Sequence, residues 1–448
     1  MIETLLNIGI DDTDSEVFGC TTYVAAKIVS YLDNTSGITF LDYPLLVRLN
    51  PNIPWKTRGN GAVSIRINID ESRASSEEVK KSVLKIVKEL SDLSNPRSDP
   101  AIVFLNRVPR KGDLLHAFYL RVLRSMVSPT EALEIAEKVG ASCSFLKTSK
   151  VGVVGALAAA GAVFEDYTYE LLSYRIRDNY GKPRMINRES VFLMDKMTSH
   201  NTFNNIDPET GRILITPHGR DPVLFGIRGE SPKAVYEAFK LVKAEEEIEC
   251  WCIFKTNQGT DAHFPEEPVE VSKIKKYDSV VVEGTVVEKR IIQGGHVIIS
   301  MDQGGNRFFC AFYSPTGILR KKASELEPGD VIRVYGGAKE HNGVLTINAE
   351  KMVILKLCEK IVKAPPPCPK CGRKCKSLGL RQGFICEKCG EVVMDPEVIR
   401  LERSLETGRV YLPPERAHRH LTKPLKRYGR EKHMITEENG FINPWHFP

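Results

Sequence analysis

The sequence predicts a multidomain protein that combines α/β and α+β units. Its 448 residues are too many for one hydrophobic core, and domains of about 100–150 residues give about three or four of them. Strand-like runs alternate with helical patterns over residues 1–145, whereas short β-rich runs fill residues 278–356. Two CxxC pairs follow. Each of these regions requires its own core or metal site.

Three helices are marked by their start signals. Ser75 and Glu78 match a capping box, and apolar residues recur behind them at helical spacing. A second helix is predicted to begin at Ser128, with proline at its first position, and to end at Gly140; a third follows Ser231. We assign these three helices to the fold and give them no chemical role.

A cluster of carboxylates follows the first predicted strand. Asp11, Asp12 and Asp14 come directly after the apolar run 5–10. Acidic side chains packed this closely repel one another unless a cation neutralises them. We interpret the cluster as a magnesium and nucleotide site. A solvated turn with an aspartate helix cap is the alternative.

A basic, glycine-containing segment predicts a phosphate clamp. Lys56 and Arg58 stand beside Gly59 and Gly61, so that backbone N–H groups and cations could meet an anion together. A plain basic turn is the alternative. The sequence contains no GxxxxGK[ST] motif, which excludes a P-loop fold.

Two further patterns bear on phosphate chemistry. The small-residue run 152–161 could bring a helix amino terminus to a phosphate, although close helix packing explains it equally well. Haloacid-type phosphatases carry threonine two residues after their second aspartate, where this chain has Glu16. What remains is metal-assisted phosphoryl or nucleotidyl chemistry.

Residues 278–356 predict a small β-barrel of the OB type. The expected strands are five short runs, 280–282, 284–287, 296–299, 331–335 and 345–347. An SH3-like barrel and a plain meander are the alternatives. Three prolines at 365–367 then form a stiff spacer.

Four cysteines after this spacer predict a structural zinc site. Cys368 and Cys371 form one CxxC knuckle, and Cys386 and Cys389 form the other. Four thiolates can close a tetrahedral zinc site, and a segment this short has no other means of staying folded. Cys375 breaks the paired spacing and is expected to be a bystander.

Charge and hydropathy indicate a cytoplasmic nucleic-acid binder. The net charge is only +6, and no run approaches the roughly 20 apolar residues of a membrane span. The start also lacks the pattern of a signal segment. Basic residues concentrate near the end and predict contacts to a polyphosphate backbone: Arg416, Arg419, Lys423, Lys426, Arg427 and Arg430.

In order and combination, these motifs resemble one family, the archaeal tRNA-isoleucine 2-agmatinylcytidine synthetases. The resemblance covers essentially the whole chain, through residues 9–14, 20–22, 48–62, 155–159, 221–230 and 294–297 and the zinc cysteines. Residues 148–152 depart from the family pattern, being poorer in glycine and arginine, so no phosphate-binding role is carried over to that loop.

The resemblance implies four modules and a tail. They are a kinase-like ATP-binding catalytic domain (1–145), a ferredoxin-like agmatine-binding domain (146–265), an OB-fold tRNA-binding domain (278–356), a zinc ribbon (366–395) and a basic tRNA-binding tail (396–448). It also implies a ligase that attaches agmatine to C2 of the wobble cytidine in a CAU anticodon, so that the tRNA reads AUA in place of AUG. ATP, Mg²⁺ and structural Zn²⁺ are the implied cofactors, tRNA and agmatine are the partners, and no obligate protein partner is implied.

Residue roles follow by position. The family's phosphorylatable threonine falls on Thr21, and its aspartates for magnesium and ATP fall on Asp11, Asp12 and Asp14. The guanidinium of agmatine needs an acidic partner with fork geometry. Candidates in the central region are Glu165, Asp166, Asp221 and Glu230.

The implied reaction is chemically sound. The C2 oxygen of cytosine cannot leave as oxide, so ATP must convert it into a phosphorylated leaving group before an amine attacks. Two other functions are open: a non-catalytic single-strand nucleic-acid binder built on the barrel and zinc ribbon, and a magnesium phosphoesterase that cleaves nucleic acid.

Overall fold

The computed structural model describes residues 3–15, 19–56, 59–341, 343–432 and 440–447. Arg58 lies outside these ranges. Within them, no helix is both long and apolar enough to cross a membrane. Strands and helices alternate in the first part of the chain: β1 (Glu3–Asp11), α1 (Thr21–Asp33), β2 (Ile38–Phe40), β3 (Leu45–Arg48), β4 (Gly61–Asp70), α2 (Ser76–Leu90), β5 (Ala101–Leu105), α3 (Leu114–Arg124), α4 (Pro129–Lys138) and β6 (Ser142–Phe145).

The next part of the chain continues the same sheet. Its elements are α5 (Val153–Ala160), β7 (Thr168–Arg175), α6 (Arg188–Thr198), β8 (Thr202–Phe203), β9 (Val223–Gly229), α7 (Pro232–Leu241) and β10 (Ile248–Thr256). The strand order is β6-β5-β1-β4-β3-β10-β7-β9-β8, with β2 paired to β4. A parallel pairing of β3 with β10 joins the two halves. The sheet therefore runs without interruption across residue 145.

Helices cover both faces of β1. Leu6, Ile8 and Ile10 alternate along the strand and are buried in one core with residues of α1 and α2. The opposite face meets α5, where a Cβ on Gly9 would overlap the carbonyl of Ala156. Close helix packing therefore accounts for the small-residue run 152–161.

The three predicted helices are present as α2, α4 and α7. Ser128 and Ser231 cap α4 and α7 through their hydroxyls, as expected. Ser75 stands at the N-cap of α2 but makes no capping hydrogen bond. The prediction of a capping box is therefore wrong there; a carboxylate outside the helix, that of Glu71, instead accepts a hydrogen bond from the N–H of Ser76 in the first turn, at 3.2 Å.

The OB-type barrel is confirmed. Its elements are β11 (Ser279–Ile292), β12 (His296–Gln303), β13 (Asn306–Phe312), α8 (Ile318–Ala323), β14 (Val331–His341) and β15 (Val344–Lys356). Parallel pairing of β13 with β15 closes the barrel. The runs 280–282 and 284–287 form one strand, not two, because Gly284 stays in the ladder opposite Ile332. Strand β13 was missed by the sequence prediction.

Strands of the carboxyl-terminal segment pair with the barrel and with the long sheet. Its strands are β16 (Lys360–Ala364), β17 (Lys376–Gly379), β18 (Gly383–Ile385), β19 (Val392–Val393), β20 (Glu397–Leu401), β21 (Val410–Tyr411) and β22 (His446–Phe447). Strand β21 extends the barrel at β15, and β22 pairs with β10. The described residues of the predicted basic tail, 396–448, pack on the rest of the chain: Leu412 and Leu421 are buried, and Trp445 packs on Phe40.

Candidate active site

The acidic cluster lies in a chain reversal at the end of β1. Asp11 is the last residue of the strand, and Asp12 has a positive φ of 59°. The backbone N–H of Asp99 donates to Oδ2 of Asp12, and the Ser98 hydroxyl donates to its carbonyl, both at 3.0 Å. These bonds fix the turn that follows the strand.

Burial makes two of these carboxylates difficult to ionise. Desolvation, with a contribution from the charge of Asp14, raises the pKa of Asp11 to about 7. Desolvation and the charges of Asp11 and Asp14 raise the pKa of Asp12 to about 8. A bound cation would relieve both effects. In the described ranges these aspartates do not bring three ligand oxygens within 4.8 Å of one another, so they could offer a metal only part of its coordination shell.

Thr21 is held against the third aspartate. Its hydroxyl donates to Oδ1 of Asp14 at 2.7 Å, and its backbone N–H donates to the same oxygen at 2.9 Å. The hydroxyl of Thr13 donates to Thr21 Oγ1 at 3.1 Å. A carboxylate bonded to a hydroxyl can accept its proton when that hydroxyl attacks an electrophile.

The clamp segment lies between two adjoining cavities. The smaller, about 380 Å³, is lined by Asp11 and Asp12 together with apolar residues that include Val122, Met126 and Val154. The larger, about 680 Å³, is lined by Thr21 and by residues of β7, β9 and the carboxyl-terminal segment. Five residues line both cavities: Asp14, Leu49, Lys56, Asn60 and Gly61.

Lys56 and the two glycines take different places in the clamp. Burial lowers the pKa of Lys56, and the nearby cations Arg419 and Lys339 lower it further. A Cβ on Gly59 would lie 2.6 Å from the ring of His420, and one on Gly61 would lie 3.0 Å from a guanidinium nitrogen of Arg48. The glycines therefore make room for these two side chains, neither of which was a sequence candidate.

A buried ionic cluster forms one wall of the larger cavity. Glu170 lies 3.0 Å from Nε of Arg228 and 3.7 Å from Nη2 of Arg48, and it accepts a hydrogen bond from the amide of Gln258. His420 bonds to Oε1 of Gln258 at 2.9 Å. Burial and both arginines depress the pKa of His420 far below its usual range, so this ring is neutral.

The four predicted zinc ligands come together. The Sγ atoms of Cys368, Cys371, Cys386 and Cys389 lie within 4.8 Å of one another, with contacts of 3.3–3.5 Å. Zn–S bonds of about 2.3 Å in a tetrahedron require comparable S···S distances. The residues fit zinc, and Cys375 lies outside the group, as expected.

Comparison with known proteins gives the family. The TiaS TCKD domain matches residues 7–148, the TiaS FLD domain residues 150–263, and the TiaS C-terminal zinc ribbon domain residues 365–405. An OB-fold nucleic acid binding domain matches residues 280–355. The tRNA(Ile2) 2-agmatinylcytidine synthetase TiaS of Pyrococcus horikoshii is 42% identical over 444 residues, 98% of this chain and 100% of the relative. The chain belongs to the TiaS family.

Solved TiaS structures share its fold. A TiaS–tRNA(Ile2)–ATP complex aligns with a TM-score of 0.83 at 36% identity, covering 95% of this chain and 97% of the other. A TiaS–tRNA(Ile2)–AMPCPP–agmatine complex aligns with a TM-score of 0.80 at 33% identity and the same coverage. Family membership thus agrees with the resemblance seen in the sequence.

The four predicted agmatine ligands of this TiaS chain lie in different surroundings. Among them, Asp221 lines the larger cavity, and it is paired with Arg184 at 3.1 Å. Glu165 pairs with Lys111 at 2.5 Å, while Asp166 and Glu230 pair with a buried arginine of the carboxyl-terminal segment. These three line neither of the two cavities, and their role toward agmatine stays a prediction.

Of the six cations predicted to bind tRNA, two are exposed, and the other four are engaged with carboxylates of the protein. Lys426 and Arg430 are exposed. Arg427 is fully buried, bonds to Asp166 and Glu230, and is unavailable to a phosphate in this structure. The rest hold the segment in place through ion pairs, Arg416 with Asp207 and Glu209, Arg419 with Glu350 and Lys423 with Glu431.

Sequence reasoning missed several residues of the larger cavity. Arg48, Glu170, Arg228, Glu415 and His420 line it, yet they come from four separate parts of the chain. Arg48 and Arg228 did lie inside segments that resemble the TiaS family, and this was the available signal. Nothing in the spacing of Glu415 or His420 distinguishes them from their basic surroundings.

Proposed function

We propose that this chain catalyses the ATP-dependent conjugation of agmatine to C2 of the wobble cytidine in a CAU-anticodon isoleucine tRNA. The observation that carries the proposal is the pair of cavities that meet at Asp14, with the Thr21 hydroxyl bonded to that aspartate. Relatives of the same length carry this activity in their name. The reaction takes place in the cytoplasm, where the reduced thiols of a zinc ribbon are stable.

In this proposal, ATP binds in the smaller cavity. Its apolar lining suits an adenine ring, and Asp11 and Asp12 lie where a triphosphate would carry its metal. Magnesium is usually held by one or two carboxylates plus substrate phosphates, which fits the incomplete set of ligand oxygens described above. When bound, Mg²⁺ would neutralise charge that develops on the transferred phosphoryl group.

The larger cavity is our site for the nucleobase and the amine. Thr21 would accept a phosphoryl group from ATP at Oγ1 while its proton passes to Asp14, and the nucleotide would leave with one phosphate fewer. That phosphoryl group would then pass from Thr21 to the cytidine C2 oxygen, which restores the threonine hydroxyl, and the primary amine of agmatine would displace it from C2 as inorganic phosphate.

Glu415 is a further candidate for the guanidinium of agmatine. Glu415 lines the larger cavity, and no hydrogen bond or ion pair to its carboxylate is found in the described part of the chain. Burial raises its pKa, and Oδ1 of Asn204 on the same cavity is buried without a partner. We expect Glu415→Gln to raise the KM for agmatine without changing the KM for ATP; an equal change in both would remove this assignment.

The decisive experiment is mass spectrometry of the anticodon loop. Purified protein, ATP, Mg²⁺ and agmatine should add the mass of agmatine, less water, to a CAU isoleucine transcript, and omission of agmatine should abolish the shift. Asp12→Asn should remove turnover and leave tRNA affinity intact, whereas Asp178→Asn, at an exposed position that lines neither cavity, should behave as wild type. An unchanged transcript would refute the proposal.

The alternatives fit the structure less well. A non-catalytic single-strand binder leaves both cavities and the acidic turn without a role. A phosphoesterase would cleave the transcript with no requirement for an amine, and the same mass spectra would reveal it.

A further inference from the structure

Arg48 is a largely buried cation whose guanidinium has no hydrogen-bond acceptor among the described residues. It ends β3, and its side chain is 13% exposed in the wall of the larger cavity. The 3.7 Å between its Nη2 and Oε2 of Glu170 is too long for a hydrogen bond. Its Nε is buried, and no partner for it exists among the described residues. A buried guanidinium in this state lacks the acceptors that it would have in water.

Glu170 cannot neutralise the cluster by itself. Its carboxylate is already engaged by Nε of Arg228 at 3.0 Å and by the amide of Gln258. Two guanidinium groups therefore share one carboxylate, and the neighbouring His420 is neutral. Asp14 lines the same cavity, and its Oδ1 accepts two hydrogen bonds from Thr21. The guanidinium of Arg48 is therefore left without a hydrogen-bond partner among the described residues.

The head of Arg48 lies where the two cavities meet. A Cβ on Gly59 would lie 2.7 Å from its Nη1, and one on Gly61 would lie 3.0 Å away. Gly61 lines both cavities, whereas Arg48 lines the larger one. The backbone of Arg48 is fixed by Asn257, which bonds to its N–H at 2.8 Å and to its carbonyl at 2.9 Å. The cation is thus held at a set position beside the clamp.

We propose that Arg48, with Arg228 behind it, forms a phosphoryl-binding subsite in the larger cavity. Guanidinium groups bind phosphoryl oxygens in a planar, bidentate geometry that a lysine cannot reproduce. The identity of the phosphoryl group rests on the proposed function. It is either the group transferred from ATP or a phosphodiester of the tRNA loop, and both offer the same tetrahedral oxygens.

Inorganic phosphate is the probe. Its affinity for the full chain is measured by titration calorimetry while saturating AMPCPP occupies the smaller cavity. Arg48→Met should weaken phosphate binding by about 10- to 100-fold, because a hydrogen-bonded charge is lost, and Arg48→Lys should weaken it less. Arg66→Met is the matched control, since Arg66 is also a buried strand arginine but lines neither cavity.

The proposed subsite would be refuted if Arg48→Met bound phosphate as tightly as the wild type does. It would also be refuted if the wild type bound no phosphate. If Arg48→Met does not fold, Arg48→Lys retains the charge and decides the question in the same assay. Wild-type phosphate affinity in Arg48→Lys would then exclude a bidentate guanidinium site.

Kinetics distinguish the two sources of the phosphoryl group. A lower kcat at unchanged tRNA affinity indicates the group transferred from ATP, and weaker tRNA binding at unchanged kcat indicates a phosphodiester. The same experiments distinguish failure of the subsite from failure of the proposed function. If the wild type binds phosphate through Arg48 but never modifies tRNA, the subsite stands and the ligase function is refuted.

Discussion

The contact between Thr21 and Asp14 brings together the two residues that we propose as nucleophile and base. Thr21 begins α1, and its hydroxyl and backbone N–H donate to a single carboxylate oxygen. In our proposal, Asp14 receives the proton of that hydroxyl. The pair is therefore the place to test whether the larger cavity is catalytic.

Thr21→Val should abolish phosphorylation of the chain and formation of modified tRNA. It removes the only group at this position that can accept a phosphoryl group, with little change in side-chain volume. Phosphopeptide mass spectrometry and single-turnover assays measure the two effects, while AMPCPP binding should stay within about twofold. Thr21→Ser keeps the hydroxyl and should retain activity. Full activity in Thr21→Val would exclude a role for this hydroxyl.

Protonation of Asp11 and Asp12 should couple metal binding to pH. Their pKa values, about 7 and about 8, lie above the ordinary 3.8, so the folded state binds protons more tightly than the unfolded chain. The free energy of unfolding without metal should therefore fall as pH rises from about 4 to about 8. Metal binding requires the ionised carboxylates and should strengthen over the same window.

We expect Mg²⁺-dependent nucleotide affinity to rise by about tenfold or more between pH 6 and pH 8. Fluorescence titration with a labelled ATP analogue measures it, with EDTA as the reference. Asp12→Asn should flatten the profile. A steep profile that survives in this variant would assign the pH dependence to other groups.

At the scale of elements, one fully buried arginine adds to the ion pairs that attach the carboxyl-terminal segment. Arg427 bonds to Asp166 and Glu230 and also donates to the carbonyl of Gly259. Its removal would leave two partly buried carboxylates without their cation. This latch holds residues 415–421 in the wall of the larger cavity.

Arg427→Met should lower the free energy of unfolding by about 3–5 kcal/mol. Chemical denaturation measures the loss, and limited proteolysis should cut the segment near residue 427 sooner than in the wild type. Arg430→Met, on the exposed side of the same segment, loses hydrogen bonds to Asn201 and to the carbonyl of His200, so it should lower stability by only about 1 kcal/mol and also weaken tRNA binding. Equal stability losses in the two variants would show that the latch does not exist.

Features whose residues are close together in the sequence could be predicted, whereas features built from distant residues could not. The acidic turn after β1, the caps of α4 and α7 and the four cysteines are local patterns, and they were predicted correctly. The larger cavity joins Arg48, Glu170, Arg228 and His420, whose distances along the chain leave no local signal. Gly284 was predicted to separate two strands, because the sequence does not show that the β-ladder with the neighbouring strand continues through this residue.

The basic stretch shows a second limit. A run of lysines and arginines indicates nucleic-acid binding when the charges are solvated. Here Arg416, Arg419 and Arg427 meet carboxylates from residues 166–350, which no local window contains. Only tertiary structure separates the cations that support the fold from those that face solvent.

At the scale of the whole molecule, the zinc ribbon stands apart from both cavities. None of its cysteines lines either one. Removal of zinc with a chelator should therefore unfold the segment 368–389 and leave nucleotide binding within about twofold, because the long sheet has its own core. Metal analysis should find one zinc per chain, and Cys371→Ser should reproduce the chelated state. Loss of nucleotide binding on chelation would contradict this independence.

Residues 415–421, which form one wall of the larger cavity, lie near the end of the chain, and this affects when the cavity can form. A ribosome releases these residues only after the sheet, the barrel and the ribbon have been synthesised. Until then this side of the larger cavity, which Thr21 also lines, lacks one of its walls. The enclosed form of the cavity therefore exists only after nearly the whole chain has been synthesised.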